Sequence, residues 1–296
     1  MSIWVDGRAG GTSYRIYGSR ISPTGTVLDP SGIQIGATDA GYQYSPSITY
    51  NGSNFLAVWG YYYAPQRIIG RFINTDGTLS DTVKIADASG YVRRTCVAYS
   101  GTNYMVGWIE YSGTTYRARG ILLDTNGQPI CTPFTIANSV YYYSLSLCYD
   151  GTQYCVSYIL QTGYQYWGQK YDLSGTPING PFQISPSSYN HYYGEIIPGA
   201  DNKYLNVWSE YRTSQYDVFG NLDITILGVE EERQENVQTD GYTTTTIFAG
   251  PLHLPEGKSI RIYDATGREV NRNQLQPGIF FIEVDGKITQ KIIKIK

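Results

Sequence analysis

The chain has 296 residues, of which 41% are apolar, enough for a hydrophobic core and too many for a disordered protein. Only 16% are charged, and 22 Lys and Arg against 25 Asp and Glu give a formal charge of -3, which excludes a strongly basic nucleic-acid-binding surface. The sequence contains no apolar run of about 18 residues, so it predicts no membrane-spanning segment. The N-terminal residues MSIWVDGRAGG lack the basic and apolar regions of a signal peptide.

One phrase recurs along the repeat region that begins the chain. It reads NGSNFLAVW at 51–59, SGTNYMVGW at 100–108, DGTQYCVSY at 150–158 and DNKYLNVW at 201–208. A period of about 50 residues is typical of a repeat architecture. Its aromatic anchor positions are Trp4, Trp59, Trp108, Tyr158 and Trp208.

Two glycine positions repeat with the same period. One lies inside a β-like run, at Gly18, Gly70, Gly120, Gly168 and Gly220, and the other lies in a turn, at Gly25, Gly77, Gly127 and Gly175. A complete unit reads as four short strands, such as SPSITY, NFLAVW, QRIIGRFI and TVKIA, with turns between them. Four antiparallel strands in each repeat predict a propeller blade.

The predicted fold is all-β: a β-propeller-like array of about five four-stranded blades over residues 1–228, with the first and last blades incomplete. We expect the anchor aromatics to form the core between blades, and a cross-strand aromatic to cover each strand glycine. The count is eighteen strands, because the first unit begins in its second strand and the last lacks its fourth. Either five blades close imperfectly or the chain is the C-terminal part of a longer protein; we favour the second explanation.

Residues 229–245 are polar and acidic and read as a linker. Residues 246–296 alternate as strands separated by turn residues and predict a small C-terminal antiparallel β-sandwich. The segments SIRIYDATGREV, LQPGIFFIEV and KITQKIIKIK, led in by GVEEE, resemble the C-terminal sorting domain of type IX secretion substrates. That resemblance implies the type IX secretion machinery as a partner and an extracellular or outer-surface location.

The repeat region also resembles units of bacterial secreted propeller-like proteins, in the segment YRIYGSRISPTGTVLDPSGIQI. This resemblance implies an architecture and does not identify a ligand.

Tyrosine is the dominant aromatic residue, with 30 Tyr against 8 Phe. Many Tyr and a few Arg fall in the two kinds of loop that open on one face of a propeller, where rings and hydroxyls suit a glycan or a surface protein. The alternative is that these rings pack between blades. The candidate residues are Tyr61, Tyr62, Tyr63, Arg93, Arg94, Tyr111, Tyr141, Tyr142, Tyr143, His191, Tyr192, Tyr193 and Arg212.

An enzymatic function is a weaker hypothesis. Glu110 and Glu210 each follow a Trp anchor by two residues, and Glu195 and Asp217 are available, so a carboxylate pair for glycoside hydrolysis is conceivable. The alternative is that these carboxylates form ion pairs with Arg117 or Arg212. The spacing of His and Cys predicts no metal site, and no motif predicts a cofactor.

Two of the four cysteines are predicted to face each other. Pairing Tyr149 with Tyr154 across the turn DGTQ places Cys148 opposite Cys155, where a disulfide is possible if the pair is not hydrogen-bonded. Cys96 and Cys131 are expected to be unpaired. The sequence as a whole predicts a secreted, non-catalytic binding protein; the alternatives are a carbohydrate-active enzyme and a structural surface repeat.

Overall fold

The structure is a computed structural model that describes residues 1–8, 10, 13–37, 41–62, 65–199, 204–212, 215–222, 246–248, 259–264, 268–271, 275–284 and 287–294. The chain divides into two compact units, Met1–Leu227 and Gly228–Lys296. No α-helix occurs in the described residues, and so none of them forms a helix that could cross a membrane. The predicted linker, 229–245, lies outside the described residues.

The first unit is a β-propeller-like array of five antiparallel sheets, in which consecutive strands pair. Blade 1 comprises β1 (Ser2–Asp6), β2 (Arg15–Ser19) and β3 (Ile33–Gln34), and blade 2 comprises β4 (Gln43–Tyr50), β5 (Asn54–Tyr61), β6 (Arg67–Asn74) and β7 (Leu79–Asp87). Blade 3 comprises β8 (Val92–Tyr99), β9 (Tyr104–Tyr111), β10 (Tyr116–Leu123) and β11 (Phe134–Asn138). Blade 4 comprises β12 (Val140–Tyr149), β13 (Tyr154–Leu160), β14 (Tyr166–Tyr171) and β15 (Pro177–Gln183), and blade 5 comprises β16 (Asn190–Pro198), β17 (Tyr204–Arg212) and β18 (Gln215–Leu222). The described residues of the first unit contain the eighteen predicted strands, three of them in the first blade and three in the last.

The anchor aromatics lie between blades, as predicted. Trp59 on β5 packs in one cluster with Ile16 and Ile35 of blade 1. Trp108 on β9 packs with Leu56 of blade 2 in the same way. Because a blade cannot bury both of its faces alone, this repeated contact supplies the hydrophobic free energy that holds neighbouring blades together.

In blades 1 to 4, the strand glycines are covered by side chains from the outer edge of the blade and not by the anchor aromatics of the second strand. A Cβ added to Gly120 would stand 2.7 Å from the ring of Phe134, and one added to Gly168 would stand 2.4 Å from the ring of Phe182. These rings belong to the fourth strand of each blade, directly opposite the glycine. The aromatic that fills the gap therefore comes from the outer strand in blades 3 and 4. An isoleucine does the same in blades 1 and 2.

A second repeated contact joins the blades at the end where the first two strands turn. The tyrosine that opens the second strand of one blade hydrogen-bonds to the turn of the preceding blade, and its ring is fully buried. The three pairs are Asn51 with Tyr104, Asn103 with Tyr154, and Asp150 with Tyr204. These tyrosines hold the blades together and do not face solvent.

The first strands β4, β8, β12 and β16 lie side by side around the axis. Polar side chains connect them: Arg94 Nε donates to the Leu145 carbonyl at 3.3 Å, and Ile196 N donates to Ser146 Oγ at 3.2 Å. Each of these strands contains an irregularity in its pairing with the second strand. At each bulge, a few residues depart from the alternation of side chains between the two faces of the sheet, so their side chains point in other directions.

The C-terminal unit contains β19 (Thr246–Phe248), β20 (Ile260–Asp264), β21 (Gly278–Val284) and β22 (Lys287–Lys294). These strands form one sheet in the order β19-β22-β21-β20, with β19 parallel to β22. The expected sandwich was wholly antiparallel, whereas the described strands form a single mixed sheet. Ile262, Leu275, Phe280 and Ile282 form its core.

The cysteine register is as predicted, with Cys148 opposite Cys155. Asp150 N bonds the Gln153 carbonyl at 3.1 Å, and because bonded and non-bonded pairs alternate along a hairpin, the cysteines form a hydrogen-bonded pair. Hydrogen-bonded pairs hold their Cα atoms about 5.5 Å apart, whereas the predicted disulfide required a non-hydrogen-bonded pair, in which the Cα atoms are closer. Both residues are free thiols in the structure, as are Cys96 and Cys131.

Candidate ligand-binding face

The candidate residues gather at the end of the propeller where each first strand begins and each second strand ends. The register shows this directly, since Val92 pairs with Glu110 and His191 pairs with Glu210. Most of the candidate tyrosines lie in bulged first strands and not in loops. We call the connected rings at this end the tyrosine face: Tyr14, Tyr42, Tyr44, Tyr62, Tyr91, Tyr111, Tyr116, Tyr141, Tyr142, Tyr143, Tyr164, Tyr192, Tyr193, Tyr211 and Tyr216.

On blades 1 to 3 the rings form a stacked row. Tyr14 stacks on Tyr42 with ring centroids 5.7 Å apart, and Tyr42 meets the edge of Tyr62 at 5.6 Å. Tyr62 then stacks on Tyr91 at 5.0 Å with an interplanar angle of 11°. Aromatic pairs at these separations stabilise one another, so the row is held in place before any ligand arrives.

On blades 3 to 5 the rings form a broader cluster around Tyr142. Its ring centroid lies 5.1 Å from that of Tyr116, 5.0 Å from that of Tyr141 and 4.2 Å from that of Tyr143. Tyr143 in turn stacks with Tyr193 at 6.0 Å and 22°. The cluster therefore presents ring planes and phenolic hydroxyls together.

Bulges in the first strands supply several rings of the face, two of which are exposed. Tyr141, Tyr142 and Tyr143 lie in the irregular part of β12, and Tyr193 lies in that of β16. The side chains of Tyr143 and Tyr193 are 42% and 58% exposed. Tyr193 has a φ of 52°, a left-handed backbone conformation that costs free energy in a residue with a side chain. The fold thus maintains an unfavourable backbone at the point where the rings face outward.

Arg93 lies between the two groups of rings. It is the bulged residue of β8, and its side chain is exposed. Its guanidinium carbon is 6.0 Å from the ring centroid of Tyr91 and 6.0 Å from that of Tyr142. The cation therefore links the rows of rings on either side of it.

Around the rim, three blades carry the same ion pair, which we call the indole–carboxylate clamp. The indole N–H of the anchor Trp donates to an acidic residue two positions later, and that carboxylate also binds an arginine. In blade 3, Trp108 Nε1 is 3.0 Å from Glu110 Oε2 and Arg117 Nε is 2.8 Å from Glu110 Oε1. The three clamps are Trp4–Asp6–Arg8, Trp108–Glu110–Arg117 and Trp208–Glu210–Arg212.

The clamp carboxylates of blades 3 and 5 are ionised and inaccessible. Glu110 is 2% exposed and Glu210 is 0% exposed. Burial alone would raise the pKa of Glu110, but the hydrogen bonds from Trp108 and Arg117 outweigh it and hold the pKa below its ordinary value. The pKa of Glu210 is lowered through the same balance, with its own indole and arginine as partners. Each group is committed to structure and is poorly placed to protonate a substrate.

Blade 2 departs from this pattern. Tyr61 stands where blades 1, 3 and 5 have a carboxylate, and the guanidinium of Arg67 stacks over its ring at 4.8 Å. Trp59 Nε1 and Arg67 Nε are both buried without a hydrogen-bond partner. Blade 2 thus has the indole and guanidinium donors of the clamp but no carboxylate to accept from them.

Two further acidic residues were predicted as available. Glu195 on β16 forms an ion pair with Arg94 of β8, which reaches it past β12 near the axis. Asp217 lies exposed on β18, opposite Glu210. Among the described residues of this face, no two carboxylates free of a basic or indole partner come together. A pair of the kind that hydrolyses glycosides is therefore not assembled here.

The structure brings together most of the predicted contact residues. Tyr62, Tyr111, Tyr192 and the residues of the bulges lie on the tyrosine face, whereas Tyr61 is 9% exposed and His191 is 0% exposed. His191 Nδ1 donates to the Tyr164 carbonyl at 2.9 Å, and burial lowers the pKa of His191. Tyr63 lies outside the described residues. Arg94 and Arg212 are present on the face but are bound to Glu195 and Glu210.

Sequence reasoning missed Tyr14, Tyr116 and Tyr216. Tyr116 and Tyr216 open the third strands and pair directly with Tyr111 and Tyr211. The signal was present, because a tyrosine just before a short hairpin has a cross-strand partner just after it. No group of three or more His, Cys, Asp or Glu in the described part of the chain could hold a metal ion.

Comparison with known proteins identifies the fold alone. No protein-family model and no curated protein matches the chain. A Hadza microbial sialidase superposes with a TM-score of 0.50 at 11% identity, over 72% of this chain and 51% of that one. The leech intramolecular trans-sialidase gives 0.51 at 7% identity, over 71% and 36%.

An endo-arabinase from Bacteroides thetaiotaomicron is similar at a TM-score of 0.46 and 10% identity, over 74% of this chain and 92% of that one. The chain spans between about a third and a half of the length of the sialidases. The two sialidases at TM-scores of 0.50 and 0.51 have β-propeller folds, which agrees with the architecture described above.

Proposed function

We propose that the first unit recognises carbohydrate through the tyrosine face. The observation that carries this proposal is the two groups of rings, Tyr14 to Tyr91 and Tyr111 to Tyr216, which Arg93 joins. Together they cross all five blades and are open to solvent at Tyr91, Tyr143 and Tyr193. The names of the structural neighbours, sialidases and an endo-arabinase, are consistent with a carbohydrate ligand.

The chemistry of the face suits a sugar. Ring faces pack against the C–H surfaces of a pyranose or furanose, and phenolic hydroxyls both donate to and accept from its hydroxyl groups. Because the rings already brace one another, little side-chain entropy is lost on binding. The length of the row favours an oligosaccharide over a single sugar.

A glycoside hydrolase is the second candidate function, and the fold comparisons favour it over a purely non-catalytic protein. Against it stand Glu110 and Glu210, which are buried in clamps, and Glu195, which is paired with Arg94. We therefore propose carbohydrate recognition as the first function, and a direct activity assay tests for catalysis.

The experiment is a binding screen against neutral and acidic polysaccharides by affinity electrophoresis and calorimetry. Tyr143→Ala and Tyr193→Ala should each weaken binding by about tenfold, the range expected when an aromatic contact is removed. Tyr50→Ala is the matched control, because Tyr50 is equally exposed but lies at the hairpin end, where its hydroxyl bonds the Gly52 carbonyl. Wild-type affinity in both face variants would refute the proposal.

The same panel tests the hydrolase. Release of new reducing ends that disappears in Glu195→Gln would establish catalysis and make the binding function part of an enzyme. The recognition proposal expects binding without release.

We also propose that the C-terminal unit is an export address for type IX secretion, as its sequence resemblance implies. Removing residues 246–296 in a host that has this machinery should retain the first unit inside the cell. Secretion of the shortened protein at the normal level would refute this role.

A further inference from the structure

Arg93 differs from the three arginines near the tyrosine face that are bound to glutamate. Arg94, Arg117 and Arg212 each bind a glutamate, at Glu195, Glu110 and Glu210 respectively. Arg93 forms no ion pair with a carboxylate among the described residues. Its positive charge is therefore available to a ligand.

The surroundings of Arg93 keep it charged and aim it outward. Partial burial works against the charge, but the hydrogen bond to Tyr116 and the nearby phenols outweigh it and raise the pKa of Arg93. Ser45 Oγ bonds the Arg93 carbonyl and fixes the backbone of the bulge. Rings on two sides, those of Tyr91 and Tyr142, limit the positions that the guanidinium can adopt.

The surroundings offer hydrogen-bond donors to an anion and no competing acid. A carboxylate or sulfate lying on Arg93 would accept from its N–H groups and from the phenolic hydroxyls around it. A planar guanidinium binds such groups in two-point fashion. The adjoining ring faces would at the same time pack on the sugar that carries the anion.

We propose that the tyrosine face takes an acidic glycan, a chain bearing carboxylate or sulfate groups, and that Arg93 binds one of those anions. This proposal rests on the proposed carbohydrate-binding function. It adds that the charge of the sugar decides which glycans are bound.

The test compares each acidic glycan with its neutral derivative. Polygalacturonate and its carboxyl-reduced form, and a sulfated galactan and its desulfated form, are titrated against the full chain by calorimetry. We expect the acidic member of at least one pair to bind about tenfold more tightly than the neutral member, with a preference that shrinks as salt is added. The pair that shows the preference identifies carboxylate or sulfate as the anion.

Arg93→Gln should abolish this preference, so that the variant binds the acidic member and its neutral derivative with equal affinity. Lys84→Gln is the charge-matched control: it removes one positive charge from β7, the outermost strand of blade 2, and should behave as wild type. A circular dichroism spectrum identical to wild type establishes that Arg93→Gln is folded.

The outcomes separate the two proposals. Equal affinity for the acidic and neutral members of both pairs, or an acidic preference that survives Arg93→Gln, overturns the role of Arg93 and leaves carbohydrate recognition intact. Absence of binding to both pairs and to the neutral panel overturns carbohydrate recognition itself, and this inference with it.

Discussion

Trp108 Nε1 lies 3.0 Å from Glu110 Oε2 and donates a hydrogen bond to it in the interior of blade 3. The equivalent indole of blade 2, Trp59 Nε1, is buried without a partner. The same repeat position therefore carries an indole with a hydrogen-bond acceptor in blade 3 and an indole without one in blade 2. The difference follows from a single residue, because blade 2 has Tyr61 in place of the carboxylate.

This contrast predicts unequal effects of the same substitution. Trp108→Phe should lower the free energy of unfolding by about 1–3 kcal/mol more than Trp59→Phe, because only the first leaves a buried carboxylate short of a donor. Both substitutions remove a similar ring volume, so their difference isolates the hydrogen bond. Urea unfolding monitored by circular dichroism measures it, and equal losses would show that the indole bond contributes nothing.

The positions of the anchors could be predicted from the sequence because they repeat. The hydrogen-bond partner of each anchor could not. Period and turn residues predicted the blades, the register of Cys148 with Cys155 and the burial of Trp59 between blades. The burial of His191 could not be predicted, because a bulge shifts which side chains of a first strand face outward. The burial of Tyr61 depends on Gly41 and Arg67, which lie against its ring and which no repeated position indicates.

The clamp carboxylates predict how stability depends on pH. The pKa of Glu110 and the pKa of Glu210 lie below the ordinary value of 4.5 in the folded protein, so the unfolded chain takes up protons first as the pH falls. Their stabilising contribution is complete above pH 4.5 and is lost as the pH falls through the folded values. Urea midpoints measured from pH 7 to pH 3 should drop on the acid side.

A variant assigns this acid effect to one clamp. Glu210→Gln should be less stable than wild type by about 3 kcal/mol at pH 7, since it leaves Arg212 without its charged partner. The gap should narrow on acidification because wild type then loses the same charge. A gap that stays constant down to pH 3 would assign the effect to lost packing.

The covered strand glycines predict a steric effect. Gly168→Ala would place a Cβ 2.4 Å from the ring of Phe182, so we expect a loss of about 1–3 kcal/mol in unfolding free energy. Gly180→Ala, in the same blade with no atom within 4 Å of the new carbon, should stay within about 0.5 kcal/mol of wild type. Adding Phe182→Leu to Gly168→Ala should recover part of the loss, and a strictly additive double variant would argue against the contact.

The cysteines give a prediction that decides between two redox states. Burial raises the pKa of Cys96 and the pKa of Cys155 to about 12, so their thiols are largely protonated and unreactive in the native protein. Cys148 is also buried, and it faces Cys155 across the hairpin with both residues present as free thiols. Non-reducing titration in denaturant should therefore count four thiols, while the folded protein reacts at Cys131 at most. A count of two in denaturant would mean that oxidation overcomes this geometry, and mass spectrometry of the peptide containing residues 148–155 would identify the bridge.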